Sequence, residues 1–380
     1  MAYIGKSPTA APLTSSDVAD GIISTAKLAD DAVTKPKLDD AIDTVNYKNK
    51  LINGDMAIAQ RGTSFTSSGS ANNDDTYHLD RWYVLSDTND VVDITQSSTA
   101  PTNQLYSCAL DVETANKKFG IAQIIENKNC TGLIGQTATL SFKAKASAVD
   151  KLDNVKCAII SWSSTADAVT SDLVSAWGAE GTNPTLASNL TYENTPANLS
   201  VTTSWATYSV SAAIDTSSTT NVAVFIWSDV TDTTAGQFLY ITDVQLEVAA
   251  AASDFEFLPY DVNLARCQRY FQTSFEPGTT PTNGESNCVT KDCSCYADNG
   301  AYFGTSLFCQ MRADPTCVYY TSNNGSATGN KISYYNGSWT NGNASNTILT
   351  PNYIGASVSM SSSNNDSFVL QYNYTFDAEL

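Results

Sequence analysis

Eight segments between residues 90 and 248 are rich in β-branched and aromatic residues, and Ser-, Thr-, Asn- and Gly-rich stretches separate them. The segments are 90–98, 106–114, 119–127, 138–147, 155–163, 205–214, 221–230 and 238–248. In the fourth, Leu140 and Phe142 share one parity and Lys143 has the other, as in a strand with one buried face. Many short strands broken by turns are typical of a β-sandwich or jelly roll. The pattern predicts an all-β protein whose central part, residues 46–260, is a jelly-roll sandwich.

Two stretches depart from this pattern. Trp205 and Val210 fall on opposite parities within one segment, which predicts either a bulge or a strand buried on both faces. Residues 164–204, with Trp177 and Tyr192, lack a clear strand period and are predicted to form a surface loop region. Binding residues are common in such regions.

The charge balance limits the classes of partner. The chain has 20 Lys and Arg against 39 Asp and Glu, a net charge of −19, which disfavours nucleic acids and anionic membranes. No apolar run approaches the ~18 residues of a membrane-spanning helix, and the N-terminus lacks a secretory signal pattern. The nine cysteines are odd in number, and the cluster from Cys288 to Cys317 lacks paired zinc-ligand spacing. We expect reduced structural thiols or occasional disulfides.

The N-terminal segment 1–45 carries an apolar residue at every fifth position, a period of neither a helix nor a strand. These residues are Leu13, Val18, Ile23, Leu28, Val33 and Leu38. One copy buries too little apolar area to offset the entropy of ordering, and Pro36 excludes one continuous helix. The repeat predicts an extended segment that winds with copies of itself, and a disordered linker is the alternative.

Residues 261–272 predict one short linking helix, with Asp261 as its cap and one face lined by Leu264, Cys267, Gln268 and Phe271. The C-terminal residues 273–380 are predicted to form a second β domain, because Asn-Gly and Gly-Ser turns recur there.

Within that domain, residues 315–365 carry one charge, Lys331, among Asn, Ser, Gly and Thr. The aromatic residues there are Tyr319, Tyr320, Tyr334, Tyr335, Trp339 and Tyr353. Aromatic rings stack on pyranose C–H faces and amides pair with hydroxyls, so this window predicts a site for a neutral glycan. The alternative is that half of the rings fill a core. Adjacent Tyr334 and Tyr335 face opposite ways on a strand, so one of them is expected to be buried.

Catalysis is not expected. His78 is the chain's one histidine, and its place before a core strand favours a structural role. No pair of acidic residues lies in a recognisable aromatic cleft motif of a glycosidase.

Several motifs together resemble the tail fibres of tailed bacteriophages, particularly short-tailed marine ones. They are "ADGIISTAKLADDAVTKPKLDD", "LINGDMAIAQRGTSF", "YHLDRWYV", "LYITDVQLEV" and "FEFLPYDVNLARCQRYFQ", and they span roughly residues 1–272. The central domain also resembles jelly-roll carbohydrate-binding modules, with Met56 in place of the usual Phe of an N-G-D-F stretch. The C-terminal residues carry no such resemblance.

The resemblance implies a homotrimeric fibre, assembled in the host cytoplasm and located in the virion. Its N-terminus would dock on a tail hub, nozzle or adaptor protein, and its C-terminal domain would bind a bacterial surface polysaccharide without catalysis. A structural calcium at Asp55 and Asp243 is also implied, with turn-forming or capping aspartates as the simpler alternative. The alternative functions are a purely structural fibre or connector and a glycan-degrading tailspike enzyme.

Overall fold

The computed structural model describes residues 47–66, 71–297, 300–323, 329–335, 337–360 and 367–380. The predicted shaft residues lie outside the described residues: Leu13, Val18, Ile23, Leu28, Val33 and Leu38. None of the helices in the described ranges is long and apolar enough to cross a membrane.

Thirteen strands precede the longer of the two helices in the described ranges. They are β1 (Ser64–Phe65), β2 (Tyr83–Ser86), β3 (Val92–Ser97), β4 (Ser107–Val112), β5 (Phe119–Ile125), β6 (Thr137–Ala146), β7 (Val155–Trp162), β8 (Val174–Ala176), β9 (Thr185–Leu186), β10 (Leu190–Tyr192), β11 (Ala206–Ala213), β12 (Asn221–Ser228) and β13 (Phe238–Val248). A one-turn helix, α1 (Asn127–Cys130), follows β5. Each of the eight predicted segments contains or overlaps one of these strands, and the all-β prediction is confirmed.

Eleven of these strands form two antiparallel sheets, and β8 pairs with β9 in a separate small sheet. The six-stranded sheet has the order β1-β3-β4-β13-β6-β11, and the five-stranded sheet has the order β10-β7-β12-β5-β2. Leu140 and Phe142 of the first sheet face Ile121 and Ile159 of the second in one buried cluster. The chain therefore builds the predicted jelly-roll sandwich around the residues with inward parity.

Trp205 and Val210 point to opposite faces of the sheet, and no bulge is needed to explain it. The pairing of β11 with β6 runs without a register shift from Ala206↔Ala144 to Ala213↔Thr137. Val210 packs against the core, whereas Trp205, just before the strand, faces the open side. The predictions of a bulge and of a core on both sides were both wrong, because one face of this strand is simply exposed.

The insertion 164–204 covers the outer face of the five-stranded sheet. Trp177 is buried there with its ring 5.8 Å from that of Phe225, and Tyr192 stacks 6.4 Å from Trp227. The prediction of a surface loop was wrong for these rings, since the insertion adds the short strands β8 to β10 and a second apolar layer. The two-residue alternation of a strand is not visible in this part of the sequence, because the strands are only two or three residues long.

Buried charges fix this insertion to the sheet. The Lys118 ammonium, which is almost fully buried, donates to the backbone carbonyls of Trp177, Ala179 and Thr182. It also pairs with the buried Asp229, whose other oxygen lies 2.6 Å from the Lys156 ammonium. The insertion is thus held by hydrogen bonds that would be left unsatisfied if it opened.

The helix α2 (Tyr260–Gln268) follows the sandwich. Its cap is Pro259, and Asp261 lies in the first turn, so the prediction of Asp261 as the cap was wrong. Phe271 lies beyond the helix, in the next strand. A proline at this position leaves the first helical amides without a side-chain acceptor, which the negative charge of Asp261 offsets.

Eight further strands complete the chain: β14 (Phe271–Thr273), β15 (Val289–Ala297), β16 (Gly300–Ser306), β17 (Thr316–Thr321), β18 (Lys331–Tyr335), β19 (Trp339–Thr350), β20 (Tyr353–Ser359) and β21 (Ser367–Asp377). The strands β15, β16, β20, β19 and β18 are neighbours in that order. β21 pairs with both ends of this series, through Val289↔Tyr372 and Tyr334↔Leu370, so the sheet closes on itself as a small barrel. The far half of β21 also pairs with β14 and β17.

The residues after β21 return to the sandwich. The Glu379 carboxylate, with a side chain only 4% exposed, forms ion pairs with Arg81 and Arg61 of the sandwich. The Tyr77 hydroxyl donates to the Leu380 carbonyl over 2.7 Å. The barrel is therefore joined to the sandwich both where the chain enters it and where β21 ends.

Candidate functional site

The outer face of the six-stranded sheet carries a group of aromatic residues that we call the platform: Trp205, Phe238 and Tyr240, with Lys145. Phe238 and Tyr240 stack with centroids 5.6 Å apart and an interplanar angle of 12°. Trp205 meets Tyr240 edge-on at 6.3 Å. All three are half-buried, so each presents part of its ring to solvent.

Strand register explains why these residues meet. Phe238 and Tyr240 are two residues apart on β13 and so point to the same face. Tyr240 pairs with Lys145 on β6 and with Ala109 on β4. Ala109 is almost fully buried, whereas Tyr240 keeps part of its side chain exposed. Trp205 is level with Lys145, since the next residue, Ala206, pairs with Ala144.

A cation joins the two larger rings. The Lys145 ammonium lies 5.1 Å from the Tyr240 ring centroid and 5.6 Å from that of Trp205. Both distances are within the range of cation–π attraction. The interaction orients the rings and places three N–H donors beside them.

Acidic groups border the other side of the platform. Phe238 pairs with Asp111 across the sheet, and Asp111 pairs with Asp93 on β3. The Asp111 Oδ1 atom is buried without a hydrogen-bond partner. Burial raises the pKa of the Asp111 carboxyl, and the nearby Glu113 and Asp93 charges raise it further. An unpaired buried acceptor is costly, so a hydroxyl donor would be stabilised there.

The platform thus combines exposed ring faces with a cationic donor and anionic acceptors, on a sheet face that the insertion does not cover. The neighbouring outward residues of β11, Thr207, Ser209 and Ser211, are exposed hydroxyls. This is the chemistry that recognises a sugar, whose C–H face stacks on a ring while its hydroxyls pair at the ring's edge. The sequence interpretation missed the platform, although the shared parity of Phe238 and Tyr240 and the odd parity of Trp205 both indicated it.

The aromatic residues predicted to bind glycan do not form one site. Tyr319 and Tyr334 are buried in the barrel core, at 1% and 2% exposure, so neither offers a ring face to a ligand. Tyr320 is half-buried, and its ring meets that of Phe275 at 5.3 Å. Burial of Tyr334 and exposure of Tyr335 agree with the alternation expected of adjacent strand residues.

Exposed rings remain at two places on the barrel. Tyr335 and Trp339 face each other across the β18–β19 hairpin, with centroids 5.3 Å apart, and both are exposed. Tyr353 is exposed at the opposite end of β19, where it pairs with Thr350. Eleven residue steps along the strand separate these places by roughly 35 Å. The Tyr335–Trp339 pair is therefore a second, separate candidate contact.

The Asp55 and Asp243 carboxylates are close enough to influence each other, as the resemblance implies. Gly54 allows the stretch that carries Asp55 to approach β13 closely, because a side chain at this position would collide with the Val244 carbonyl. Burial raises the pKa of Asp55, which also accepts a hydrogen bond from Asn263. Asp243 sits at a register shift with φ +54°.

The charge that balances this pair is a lysine. The Lys143 ammonium lies 2.8 Å from the Asp243 Oδ2 atom, and apart from this ion pair the buried Asp243 oxygens have no partner among the described residues. In the described part of the chain, no group of three or more His, Cys, Asp or Glu side chains could hold a metal ion. The Lys143 ammonium supplies the positive counter-charge of Asp243 in this structure. The calcium prediction itself stays untested.

His78 is fully buried in the sandwich. Its Nδ1 atom accepts the Leu79 amide over 2.7 Å, and Nε2 has no hydrogen-bond partner. Burial, with the nearby Arg61 charge, lowers the pKa of His78 to about 3. The imidazole is neutral at physiological pH and has no access to solvent, as expected of a structural histidine.

Comparisons with known proteins find similarity to solved structures alone. No protein-family model and no curated protein matches the chain. The enzymatically active domain of tailspike protein 4 from bacteriophage CBA120 aligns over 53% of this chain and 22% of its own, with 16% identity and a TM-score of 0.30. A protein described as sugar-binding from Bacteroides thetaiotaomicron aligns over 53% and 100%, with 15% identity and a TM-score of 0.31.

The CBM22-1 xylan-binding domain of Xyn10C from Paenibacillus barcinonensis aligns over 51% of this chain and 94% of its own, with 12% identity and a TM-score of 0.28. Likenesses of this size assign no ligand to any residue of the platform. The chemistry of the site itself has to carry the functional interpretation.

Proposed function

We propose that this chain is a non-catalytic glycan-binding protein, and that its primary sugar contact is the platform of Trp205, Phe238, Tyr240 and Lys145. The observation that carries the proposal is the stacked and cation-bridged ring group on an uncovered sheet face. The non-catalytic role is proposed from the sequence, in which no pair of acidic residues lies in a recognisable aromatic cleft motif.

We further propose that the protein is a homotrimeric bacteriophage tail fibre. The resemblance of its motifs to such fibres supports this role, as does the five-residue apolar repeat of residues 1–45. In this role the N-terminus docks on a tail protein and the rest of the chain meets a bacterial surface polysaccharide. The Tyr335–Trp339 pair is a second contact on the barrel.

The test is binding of the full-length protein to purified capsular and O-antigen polysaccharides of candidate hosts, measured by biolayer interferometry. Trp205→Ala and Trp339→Ala separate the two surfaces, and Phe308→Ala, which removes another exposed ring, serves as the control. We expect Trp205→Ala to weaken binding about tenfold, since one ring–sugar stack contributes about 1 kcal/mol or more.

Unchanged binding after Trp205→Ala would contradict the platform as the primary contact. Release of reducing ends from the bound polysaccharide would contradict a non-catalytic role. Sedimentation of the purified protein as a single chain would contradict the trimer.

A further inference from the structure

A recess lined in part by the helix α2 shares no lining residue with the platform. It has a volume of about 870 Å³, and four parts of the chain form its walls: the stretch 47–50, residues 128–132, the helix α2 and residues 309–310. This volume is typical of a cleft that holds a small ligand rather than of a packing defect. We call it the basic cleft.

The walls of the cleft are unusually positive for this chain. Lys50, Lys128, Arg266 and Arg269 line it, and Asp261 is the acidic residue among the lining side chains. The chain as a whole has about twice as many acidic as basic residues. A cleft with low-dielectric walls focuses the field of its charges, so this recess attracts anions although the net charge is −19.

Arg269 is already paired and forms the floor of the cleft. It makes two hydrogen bonds to the Glu126 carboxylate, of 2.8 and 2.6 Å. Tyr270 donates to the same carboxylate over 3.0 Å. These bonds lower the pKa of Glu126 and keep it charged, so the Arg269 charge is largely balanced.

Arg266, in contrast, has no direct ion pair within the described ranges, and the nearby Glu256 charge offsets only part of its burial. Its Nη2 atom donates long hydrogen bonds of 3.4 and 3.3 Å to the carbonyls of Asn49 and Leu51. No carboxylate of the described residues lies within ion-pair distance of it. Burial lowers the pKa of its guanidinium, because a charge with few partners is costly to remove from water. The remaining donors of its planar fork match a carboxylate or a phosphate.

The rest of the wall suits a sugar that carries such an anion. The Tyr47 ring is 53% exposed and offers a stacking face. The side-chain amides of Asn129 and Gln310 are exposed and form no hydrogen bond with another described residue. Gly132 and Ala265 are small and leave the space open.

We propose that the basic cleft binds the anionic group of an acidic saccharide, with Arg266 as its main contact and Lys50 and Lys128 as supporting charges. The sugar identity rests on the proposed function, whereas the anion site rests on the cleft alone. The proposal names acidic polysaccharides, such as uronate-containing capsules, as the class of surface glycan that this protein prefers.

The test uses isothermal titration of the full-length protein with three probes: trigalacturonic acid, the neutral galactotriose and inorganic phosphate. We expect trigalacturonic acid to bind more tightly than galactotriose, and its affinity to fall as sodium chloride is raised. Arg266→Met keeps the aliphatic stem and removes the fork, and it is expected to weaken trigalacturonate binding about tenfold or more.

Lys128→Met is a second variant, and it should fold normally because this side chain is 74% exposed. We expect it to weaken trigalacturonate binding about twofold to fivefold, as is typical of exposed charge pairs. Lys151→Met, at an exposed ion pair with Asp232 outside the cleft, is the control and should bind as the wild type does. Unchanged trigalacturonate affinity in both cleft variants would overturn the proposal.

Two results separate this proposal from the proposed function. Loss of trigalacturonate binding by Tyr240→Ala but not by Arg266→Met would place the acidic sugar on the platform and overturn the cleft proposal alone. Binding of inorganic phosphate at Arg266 without binding of any saccharide would support an anion site and contradict the glycan role. If the cleft bound phosphate more tightly than the uronate, its ligand would carry a phosphate group, and the assignment of an acidic sugar's carboxylate would be wrong.

Discussion

The Lys145 ammonium lies between two rings, 5.1 Å from the centroid of Tyr240 and 5.6 Å from that of Trp205. The lysine is therefore part of the aromatic surface and not a separate charge at its border. The strands β6 and β13 fix the positions of Lys145 and Tyr240 by register, and Trp205 directly precedes β11.

Lys145→Met tests this relationship, since methionine keeps an apolar stem on the rings and removes the cation. We expect glycan affinity at the platform to fall about threefold to tenfold, in line with a cation–π contribution of about 1 kcal/mol. The melting temperature should change little because Lys145 is only partly buried. Equal affinity of the variant and the wild type in a titration with the bound polysaccharide would show that the cation plays no part.

Asp75 predicts a pH dependence of stability. Burial, with the charges of Asp74 and Asp172, raises the pKa of Asp75 to about 7 from an ordinary value near 4. The folded state thus holds this proton more tightly than the unfolded state, so the contribution to stability is complete below about pH 4 and is lost as the pH rises through 7.

Asp75→Asn removes the titration and should tolerate the backbone, because asparagine also adopts the φ of +64° found there. We expect the variant to melt about 2–4 °C higher than the wild type at pH 8, by a smaller margin at pH 5, and at nearly the same temperature at pH 4. Exposed Glu285→Gln is the control. Equal melting temperatures of wild type and Asp75→Asn across this pH range would refute the prediction.

Lys118→Met should loosen the insertion 164–204. The change leaves three backbone carbonyls without their donor and leaves Asp229 with one cation in place of two. Loss of one partner of a buried ion pair costs about 3–5 kcal/mol in the free energy of unfolding. Urea denaturation would measure this loss, and limited proteolysis would show cleavage within the insertion.

The neighbouring Lys117→Met is a matched control, because Lys117 forms a partly exposed pair with Asp87 at 3.3 Å. Such pairs contribute about 1 kcal/mol or less. Similar losses of stability in the two variants would indicate that the buried contacts of Lys118 do not hold the insertion.

Lys143 gives an expectation about calcium. Since its ammonium balances Asp243, we expect the melting temperature of the wild type to be the same with added calcium and with a chelator. Lys143→Met should lower the melting temperature, because Asp55 and Asp243 then face each other without a counter-charge. Lys145→Met, two residues along the same face, is the control, and a rise in the wild-type melting temperature with calcium would support the implied metal site instead.

Local periodicity predicted most of the sandwich. The alternation around Leu140 and Phe142, and similar patterns in seven other segments, is set by neighbours in the chain and is visible without the structure. The contrast between Tyr334 and Tyr335 was predictable for the same reason. The short strands of the insertion were not, because two or three residues carry no period.

Contacts between distant parts of the chain explain what sequence reasoning missed. Tyr319 is buried because β17 pairs with β21, and nothing near Tyr319 specifies that pairing. The platform needs Trp205 to lie level with Lys145, and the basic cleft needs Lys50 to lie near Arg266. Neither relation follows from composition, so aromatic density alone pointed to the barrel and overlooked the open sheet face.

The ion pairs of Glu379 with Arg81 and Arg61 have a consequence for exchanging the barrel between related chains. A foreign barrel inserted after α2 would leave these two arginines without their carboxylate, unless its own last residues formed the same ion pairs. An exchange of the barrel between related chains would therefore succeed most readily when the residues after β21 were exchanged together with it. Because of the same ion pairs, a force applied to the barrel is transmitted to the sandwich at two attachment points and not at a single hinge.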